Sequence, residues 1–397
     1  MKTEKKPFHV MSKFQYLGIS FIGILLAGCA PRVATSFWRI GTPADSVREG
    51  YAVLYEGKKM RHCYPITEWH DTMPNYVGKN DTYHSLHHHG VAVESEHMAY
   101  RIYFDKKQTI DPYCKRTPQL ELATSYWYPH DSLLALGYGD DILRVSGTVG
   151  VGSVKYWNGK KQVHIEPVAE RSERIVRQNR NAATIEVAVK DWQVPQSVSG
   201  NTQGIDMTVQ YTMQAGHRDM RCDVYASAPI EGLCTGVQAI PAQKGLTDII
   251  HLTGEAGLTA QRSNSDSGLS GKAGHCAFCA QLENGVLLAS WGTDWPVNDS
   301  AKYAKETVGL AVFIPKAYAG DLVHDKQNNL CLLNLIGKAG LTAQRSYSNS
   351  DLTAQRSEMC TAHFYLTCCG ATKENHPVAT TAEEWLAYLR RWAKRLR

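Results

Sequence analysis

The sequence predicts an all-β protein, a large β-sandwich that is closed by one amphipathic helix at its C-terminus. Two observations predict it. Short segments of alternating apolar and polar residues recur between about residues 50 and 366, separated by turn residues, and this spacing is typical of sandwiches. After residue 381 the apolar residues recur with the period of a helix. The composition, 43% apolar and 20% charged, is that of an ordinary globular domain rather than of a disordered chain.

The N-terminal segment has the layout of a secretory signal. Lysines at positions 2, 5, 6 and 13 precede an apolar run from Leu17 to Leu26, and small residues then lead to Cys29. The run is shorter than the roughly 20 residues of a membrane-spanning helix. A cysteine at the cleavage point resembles a bacterial lipoprotein signal. We therefore predict a signal peptide over 1–28, lipidation of Cys29, a tether over 29–49 and one β domain over 50–397, anchored by lipid to a membrane of the cell envelope.

Individual strands follow from alternation and turn residues. Asn158-Gly159 between two alternating segments predicts a hairpin over 153–165 with a type I′ turn. A second hairpin is predicted from 206–213 and 219–225, which flank a turn through Gly216. Further strands are predicted at 183–189, 286–291 and 308–314. Three copies of Leu-Thr-Ala-Gln-Arg-Ser, at 258–263, 341–346 and 352–357, lie in Ser/Asn/Gly-rich stretches and are predicted to be exposed loops.

The predicted helix, residues 381–397, begins with a capping-box pattern of Thr381 and Glu384. Apolar residues then fall on one helical stripe: Trp385, Leu386, Leu389, Trp392, Ala393 and Leu396. Basic residues cover the other side. We favour a helix packed on a sheet, with a helix on anionic lipid as the alternative. Apart from this helix the chain has no dense basic tract, and its net charge is only +5, so we predict no nucleic-acid partner.

Eleven cysteines are many for an exported chain, and the oxidising envelope would permit some of them to pair. Which cysteines would pair with each other cannot be deduced from the sequence. Cys276-x-x-Cys279 lacks the second matched pair that a zinc ribbon requires. We therefore predict no metal site and no cofactor.

Titratable residues are densest between His84 and Asp111. The run His87–His89 before Gly90 predicts a polar loop, and His88 or His89 could act as a general base near neutral pH. Residues 91–104 are predicted to form one strand. Period two then places Glu94, Glu96 and Tyr100 on one face, with the glutamate Cα atoms about 6.6 Å apart. Such a pair could supply an acid and a base if it is buried; the alternative is a solvated outer face.

A second segment, residues 291–299, combines aromatic rings with polar groups. Aromatic faces stack on pyranose rings while carboxylates take the hydroxyls, so Trp291, Asp294, Trp295 and Asp299 are candidate sugar-binding residues. The alternative is that the tryptophans belong to the core. Arg218, beside the turn through Gly216, could pair with the carboxylate of a uronic acid.

Several stretches resemble one family of bacterial lipoproteins about 400 residues long, known as a domain of unknown function. They are residues 86–111, 138–152, 215–219, 291–296 and 381–385. The resemblance implies a galactose-mutarotase-like supersandwich fold and a place among the carbohydrate-degradation lipoproteins of polysaccharide-foraging bacteria. The resemblance assigns no catalytic residues to this sequence. The stretches that contain the hexapeptide repeats depart from the family pattern.

These observations predict an envelope protein that acts on uronic-acid-containing oligosaccharides. Elimination is favoured over hydrolysis or epimerisation; it needs a cation at the sugar carboxylate, a base and an acid. These roles would fall to Arg101 or Arg218, to His88 or His89, and to Tyr100. Hydrolysis or epimerisation would instead use Glu94 and Glu96. The alternatives are a non-catalytic glycan-binding lipoprotein, in which the 291–299 loop binds the sugar, and a scaffold without a ligand.

Overall fold

Three antiparallel sheets and few helices make up the fold, so the predicted all-β sandwich with a C-terminal helix is confirmed. The structure, a computed structural model, describes residues 33–35, 87–122, 125, 128–178, 181–195, 204–240, 277–298, 300–337 and 359–396. The signal segment, Cys29, Asp299 and the three hexapeptide copies lie outside these residues. No helix in the described ranges combines the length and the apolar character needed to span a membrane.

The first sheet has five strands in sequence order, each antiparallel to the next. They are β1 (Val33–Thr35), β2 (Gly90–Ser95), β3 (Met98–Tyr103), β4 (Ile110–Cys114) and β5 (Asp140–Asp141). A one-turn 3-10 helix, His87–His89, precedes β2. A short helix, α1 (Asp131–Ala135), lies between β4 and β5.

The third sheet and the large sheet are built from the remaining strands. The third sheet has the order β16-β17-β12-β6-β7 and the large sheet the order β13-β14-β15-β18-β11-β10-β9-β8. The third sheet consists of β6 (Lys155–Trp157), β7 (Gln162–Val163), β12 (Leu233–Gln238), β16 (Ala319–His324) and β17 (Asn328–Leu333). The large sheet consists of β8 (Glu170–Gln178), β9 (Ala182–Trp192), β10 (Ile205–Gln214), β11 (Met220–Ala226), β13 (Ala277–Leu282), β14 (Gly285–Asp294), β15 (Glu306–Pro315) and β18 (Cys360–Gly370).

One apolar core joins the three sheets. Alternation sends Val187 of β9 and Val224 of β11 inward, where they join Ile102 of the first sheet and Leu233 of the third in the same buried cluster. Removing this much apolar surface from water is the main driving force for the sandwich. All eight cysteines of the described ranges are unpaired thiols, and seven of them are buried.

The C-terminal helix α2 (Ala382–Arg395) covers the outer face of β14 and β15. Its N-cap is Thr381, whose hydroxyl accepts the N–H of Glu384 at 3.2 Å. Trp385 and Trp392 are buried against this face, and Trp291 of β14 lies in the same cluster. The predicted packing of the helix on a sheet is therefore confirmed; Arg391, Lys394 and Arg395 are exposed, and Arg390 is half-buried.

Two local predictions are wrong. Residues 91–104 are not one strand: the chain turns at Glu96 and His97, where the Ser95 hydroxyl accepts the N–H of His97 at 3.1 Å. The 153–165 hairpin has no two-residue turn. Its strands pair Trp157 with Gln162, which leaves a four-residue loop, because Asn158 Oδ1 accepts two successive backbone N–H groups within it.

The contact between α2 and the sheet depends on a missing side chain at Gly309 of β15. A Cβ atom there would lie 2.6 to 2.9 Å from ring atoms of Trp385. We expect Gly309→Ala to reduce the free energy of unfolding by about 1–3 kcal/mol, because the buried indole has nowhere to move. Urea unfolding followed by circular dichroism measures this. Gly147→Ala is the control, since a Cβ at that position meets no atom within 4 Å; equal losses in both variants would contradict the prediction.

Candidate functional site

The histidine turn is buried and strained. His88 and His89 have φ angles of 56° and 62°, in the left-handed region that costs non-glycine residues about 1–2 kcal/mol. His88 is 0% exposed, and its Nε2 atom lies 2.8 Å from the carbonyl oxygen of Leu122. The ring of His89 packs edge-on against Tyr103, with their centroids 5.7 Å apart. The turn therefore holds both rings inside the first sheet rather than presenting them to solvent.

The two glutamates of the predicted acid–base pair have separate partners. Glu94 is 1% exposed, pairs with the buried ammonium of Lys115, and accepts the backbone N–H groups of Glu121 and Leu122 at 2.9 and 3.1 Å. Glu96 lies in the β2–β3 turn, where it accepts the N–H of Gly216 at 3.0 Å. The turn separates them, because the single strand that would have aligned them does not form.

Arg101 lies at the centre of a buried charge network. Its Nη2 atom donates to both Asp111 and Asp141, and the hydroxyl of Tyr103 donates to Asp111 at 2.6 Å. Burial raises the pKa of Asp111, against the opposing charge of Arg101. Burial also raises the pKa of Asp141 well above its usual value; Arg101 opposes this, and neighbouring carboxylates add to it. One guanidinium therefore neutralises two carboxyl groups that resist ionisation.

Arg218 is also buried. Its guanidinium donates to both carboxylate oxygens of Glu374, at 3.0 and 2.9 Å, and to the carbonyl oxygen of Cys368 at 3.0 Å. The hydroxyl of Tyr100 donates to the backbone carbonyl of Arg218 at 2.6 Å, and burial raises the pKa of Tyr100 well above its usual value. Both side chains thus connect the first sheet to β11 and to the turn after β18.

Exposed polar and aromatic groups meet where β5 approaches the β14–β15 loop. We call this surface the rim and define it by Arg144, Asp294, Trp295, Asn298 and Lys305. Arg144 Nη1 donates to Asn298 Oδ1 at 2.7 Å. The ammonium of Lys305 lies 5.7 Å from the ring centroid of Trp295, and Asp294 Oδ1 accepts the N–H of Trp295 at 2.8 Å.

A second layer of charge supports the rim. Asp294 pairs across the β14–β15 ladder with Glu306, whose carboxylate contacts the ammonium of Lys373 at 2.8 Å. Burial raises the pKa of Asp140 in β5, with Lys373 opposing the rise and Glu306 adding to it. The rim is therefore held by β strands and ion pairs rather than by its loop alone.

The predicted site residues fall into three places. Asp294 and Trp295 are half-buried at the rim, and Trp291 lies under the C-terminal helix, 6.4 Å from Trp385 between ring centroids. The other predicted residues are buried or in turns of the first sheet and β11: His88, His89, Glu94, Glu96, Tyr100, Arg101 and Arg218. Sequence reasoning missed Arg144, because its contact with Asn298 joins segments far apart in the chain, and it missed Lys305, which lies in the same loop as Trp295 but outside the segment 291–299.

Within the described ranges no group of three or more histidine, cysteine or carboxylate side chains is arranged to hold a metal ion. The polar groups of the rim suit hydroxyl and carboxylate ligands instead.

The chain matches the model of a known protein family. The model of a family described as a domain of unknown function (DUF4861) matches residues 67–397. No curated protein and no solved structure matches the chain.

The contrast between Glu94 and Glu96 can be measured. We expect Glu94→Ala to cost about 3–5 kcal/mol of unfolding free energy, because it leaves the Lys115 ammonium buried without its carboxylate. Glu96→Ala is the matched control and should cost about 1 kcal/mol or less, since its carboxylate is half-buried and its bond to the N–H of Gly216 is exposed to solvent. Denaturant titration of both variants tests this. A Lys115→Met change should recover part of the loss in Glu94→Ala; no recovery would contradict the buried pair.

Proposed function

Because the chain belongs to the DUF4861 family, a domain of unknown function, we propose its function from the site: it binds uronic-acid-containing oligosaccharides at the rim. The observation that carries this proposal is the half-buried Trp295 ring with the Lys305 ammonium 5.7 Å from its centroid. The ammonium lies over the indole ring, so a pyranose that stacks on the same face displaces it, and the freed cation can pair with a carboxylate of the sugar.

Arg144 supplies a second cation at the same surface. Its guanidinium is exposed and has five N–H donors, one of which donates to Asn298. The remaining N–H groups can therefore donate to a carboxylate of a ligand. Asp294 adds a carboxylate that can accept sugar hydroxyls. Two cations, an aromatic face and a hydroxyl acceptor are the groups that recognition of a uronic acid requires.

Binding draws more support from the geometry than elimination does. A base or acid must reach the proton that it transfers, within about 3 Å. His88, Tyr100 and Glu94 are at most 1% exposed, and each contacts another part of the protein. That these residues are catalytic stays a prediction, and their burial argues against it.

Elimination is the second candidate function, and one observation favours it. Asp140, whose pKa burial raises, interacts with Lys373 and Glu306 immediately behind the rim. A raised pKa favours the protonated form of a carboxyl group, which can donate a proton, and a nearby ammonium can stabilise negative charge on a uronate. Asp140 is itself only 2% exposed, so elimination would need the substrate to reach a buried acid, and binding stays the first proposal.

The proposal also covers the cellular location of the protein and the type of sandwich to which its fold belongs. We propose that the chain is a lipoprotein of the cell envelope that takes part in glycan utilisation, with its lipid on Cys29. The galactose-mutarotase-like supersandwich implied by the resemblance also belongs to this proposal. The sequence of the signal segment and the three-sheet sandwich support these statements.

Trp295→Ala should weaken binding of a galacturonate trisaccharide by about 1–3 kcal/mol, by analogy with other ring ligands that stack on aromatic side chains. Isothermal titration calorimetry measures the loss. Tyr225→Ala, which removes a half-buried ring near the end of β11, should bind as the unchanged protein does. Binding that is lost equally in both variants, or in neither, would contradict a site at the rim.

Two further measurements separate the classes of function. Arg144→Gln should reduce the preference for galacturonate over the neutral galactose trisaccharide, because the exposed fork contacts the carboxylate. Ultraviolet absorbance then detects the unsaturated product of elimination in the same mixtures. Product formation that Asp140→Asn abolishes would favour the lyase; binding without product would favour the glycan-binding protein.

Cys29→Ser should release the protein from membranes, because it removes the thiol that would carry the lipid. Fractionation of cells that express either form, followed by immunodetection in the membrane and soluble fractions, measures this. Cys279→Ser, which changes a half-buried thiol inside the β domain, is the control and should stay with the membranes. A Cys29→Ser protein that remains in the membrane fraction would contradict the anchor.

A further inference from the structure

A polar pocket of about 560 Å³ opens at the third sheet, a part of the fold that the rim does not use. It lies between the loop that joins β6 to β7 and the turn that joins β16 to β17. Its volume is within the range of pockets that bind small ligands. Apart from Val163 its lining is polar: Lys160, Lys161, Gln162, His164, Glu166, Asp325, Lys326, Gln327 and Asn328.

The walls of the pocket are held in place by hydrogen bonds. Asn158 Oδ1 accepts the backbone N–H groups of Lys160 and Lys161, both at 3.0 Å, which fixes the loop that carries these lysines. Asp325 joins the two walls: its Oδ2 accepts the N–H of Gln162 at 3.0 Å, and its Oδ1 accepts an N–H of Asn328 at 2.9 Å. The site is therefore formed before any ligand binds, which lowers the entropic cost of binding.

The pocket has an excess of uncompensated positive charge. Lys160, Lys161 and Lys326 are exposed, and within the described ranges no carboxylate forms an ion pair with any of them. Of the two acidic residues in the lining, Glu166 lies 3.9 Å from Lys106, and Asp325 keeps its negative charge while it accepts hydrogen bonds from neutral N–H groups. The three ammonium groups therefore outnumber the carboxylates of the lining.

Buried cations behind the lining add to this potential. Arg171 is 2% exposed; its Nη2 atom donates to the carbonyl oxygen of Ile165 at 2.8 Å, and its Nη1 atom has no hydrogen-bond partner among the described residues. Burial lowers the pKa of His164 to about 3, and the charges of Lys155, Lys106, Lys107 and Arg171 lower it in the same direction. His164 is thus a neutral group in a positive environment.

We propose that this pocket is a second ligand site, which binds the oxyanion of a sulfated or carboxylated sugar between Lys160, Lys161 and Lys326. The oxyanion part of the proposal rests on the pocket alone, whereas the sugar part rests on the proposed function. The exposed amide of Gln327 suits sugar hydroxyls, and the lack of any Phe, Tyr or Trp side chain in the lining argues against an apolar ligand.

The experiment uses His164 as a reporter of binding. The full chain is labelled with 13C-histidine and titrated at pH 7 and constant ionic strength with sulfate, glucuronate or glucose, and His164→Gln assigns the resonance. We expect saturable shifts of the His164 signal with sulfate and glucuronate and none with glucose. Comparison of the sulfate and glucuronate affinities shows which oxyanion the pocket prefers.

Matched variants locate the effect. A triple variant should bind both sulfate and glucuronate about tenfold more weakly or worse; it combines Lys160→Gln, Lys161→Gln and Lys326→Gln. The control combines Lys302→Gln, Lys316→Gln and Lys394→Gln, which removes the same charge from exposed positions elsewhere and should leave the affinity unchanged. Equal weakening in both triple variants, or no saturable shift in the parent, would overturn the proposal. Trp295→Ala should keep the response, so a failure of the rim and a failure of this pocket are distinguishable.

Discussion

Buried charge in the first sheet is the constraint on which the rest of the structure depends. Arg101 lies between Asp111 and Asp141, and Lys115 pairs with Glu94, all of them at most 4% exposed. A buried ion without its partner costs several kcal/mol, so each strand must place its charged residue within reach of the others. A shift in the register of β2 to β5 would separate these buried charges from their partners, so ion pairing restricts the register in addition to apolar packing.

The same kind of contact attaches the first sheet to the large one. Arg218, beside β11, holds Glu374 after β18, while Tyr100 of β3 donates to the Arg218 carbonyl. At the other end, the carboxylate of Glu173 in β8 accepts the N–H of Val91 at 2.8 Å. These buried charged and polar groups therefore join the first sheet to the large one, and the exposed polar groups of the rim lie in loops at the edges of the sheets.

Those edges carry two surfaces of different chemistry. The rim combines the Trp295 ring with exposed cations and rests on strands and on the ion pair of Glu306 with Lys373. The third-sheet pocket has no Phe, Tyr or Trp side chain in its lining and gathers lysines around polar groups. Both have rigid supports, so neither needs to fold when a ligand arrives. A protein that binds acidic glycans can use one surface for the sugar ring and the other for a second charge.

The sequence alone determined the sandwich, most of its long strands and the C-terminal helix, because alternation and helical period are local properties that burial then selects. It also singled out Trp295, which is half-buried at the rim. Only the tertiary structure decided that the β2–β3 segment turns at Glu96, that Trp291 belongs to the core and that Arg144 meets Asn298. The reason is physical: burial and ion pairing depend on which distant segments meet, and the spacing of residues along the chain does not contain that information.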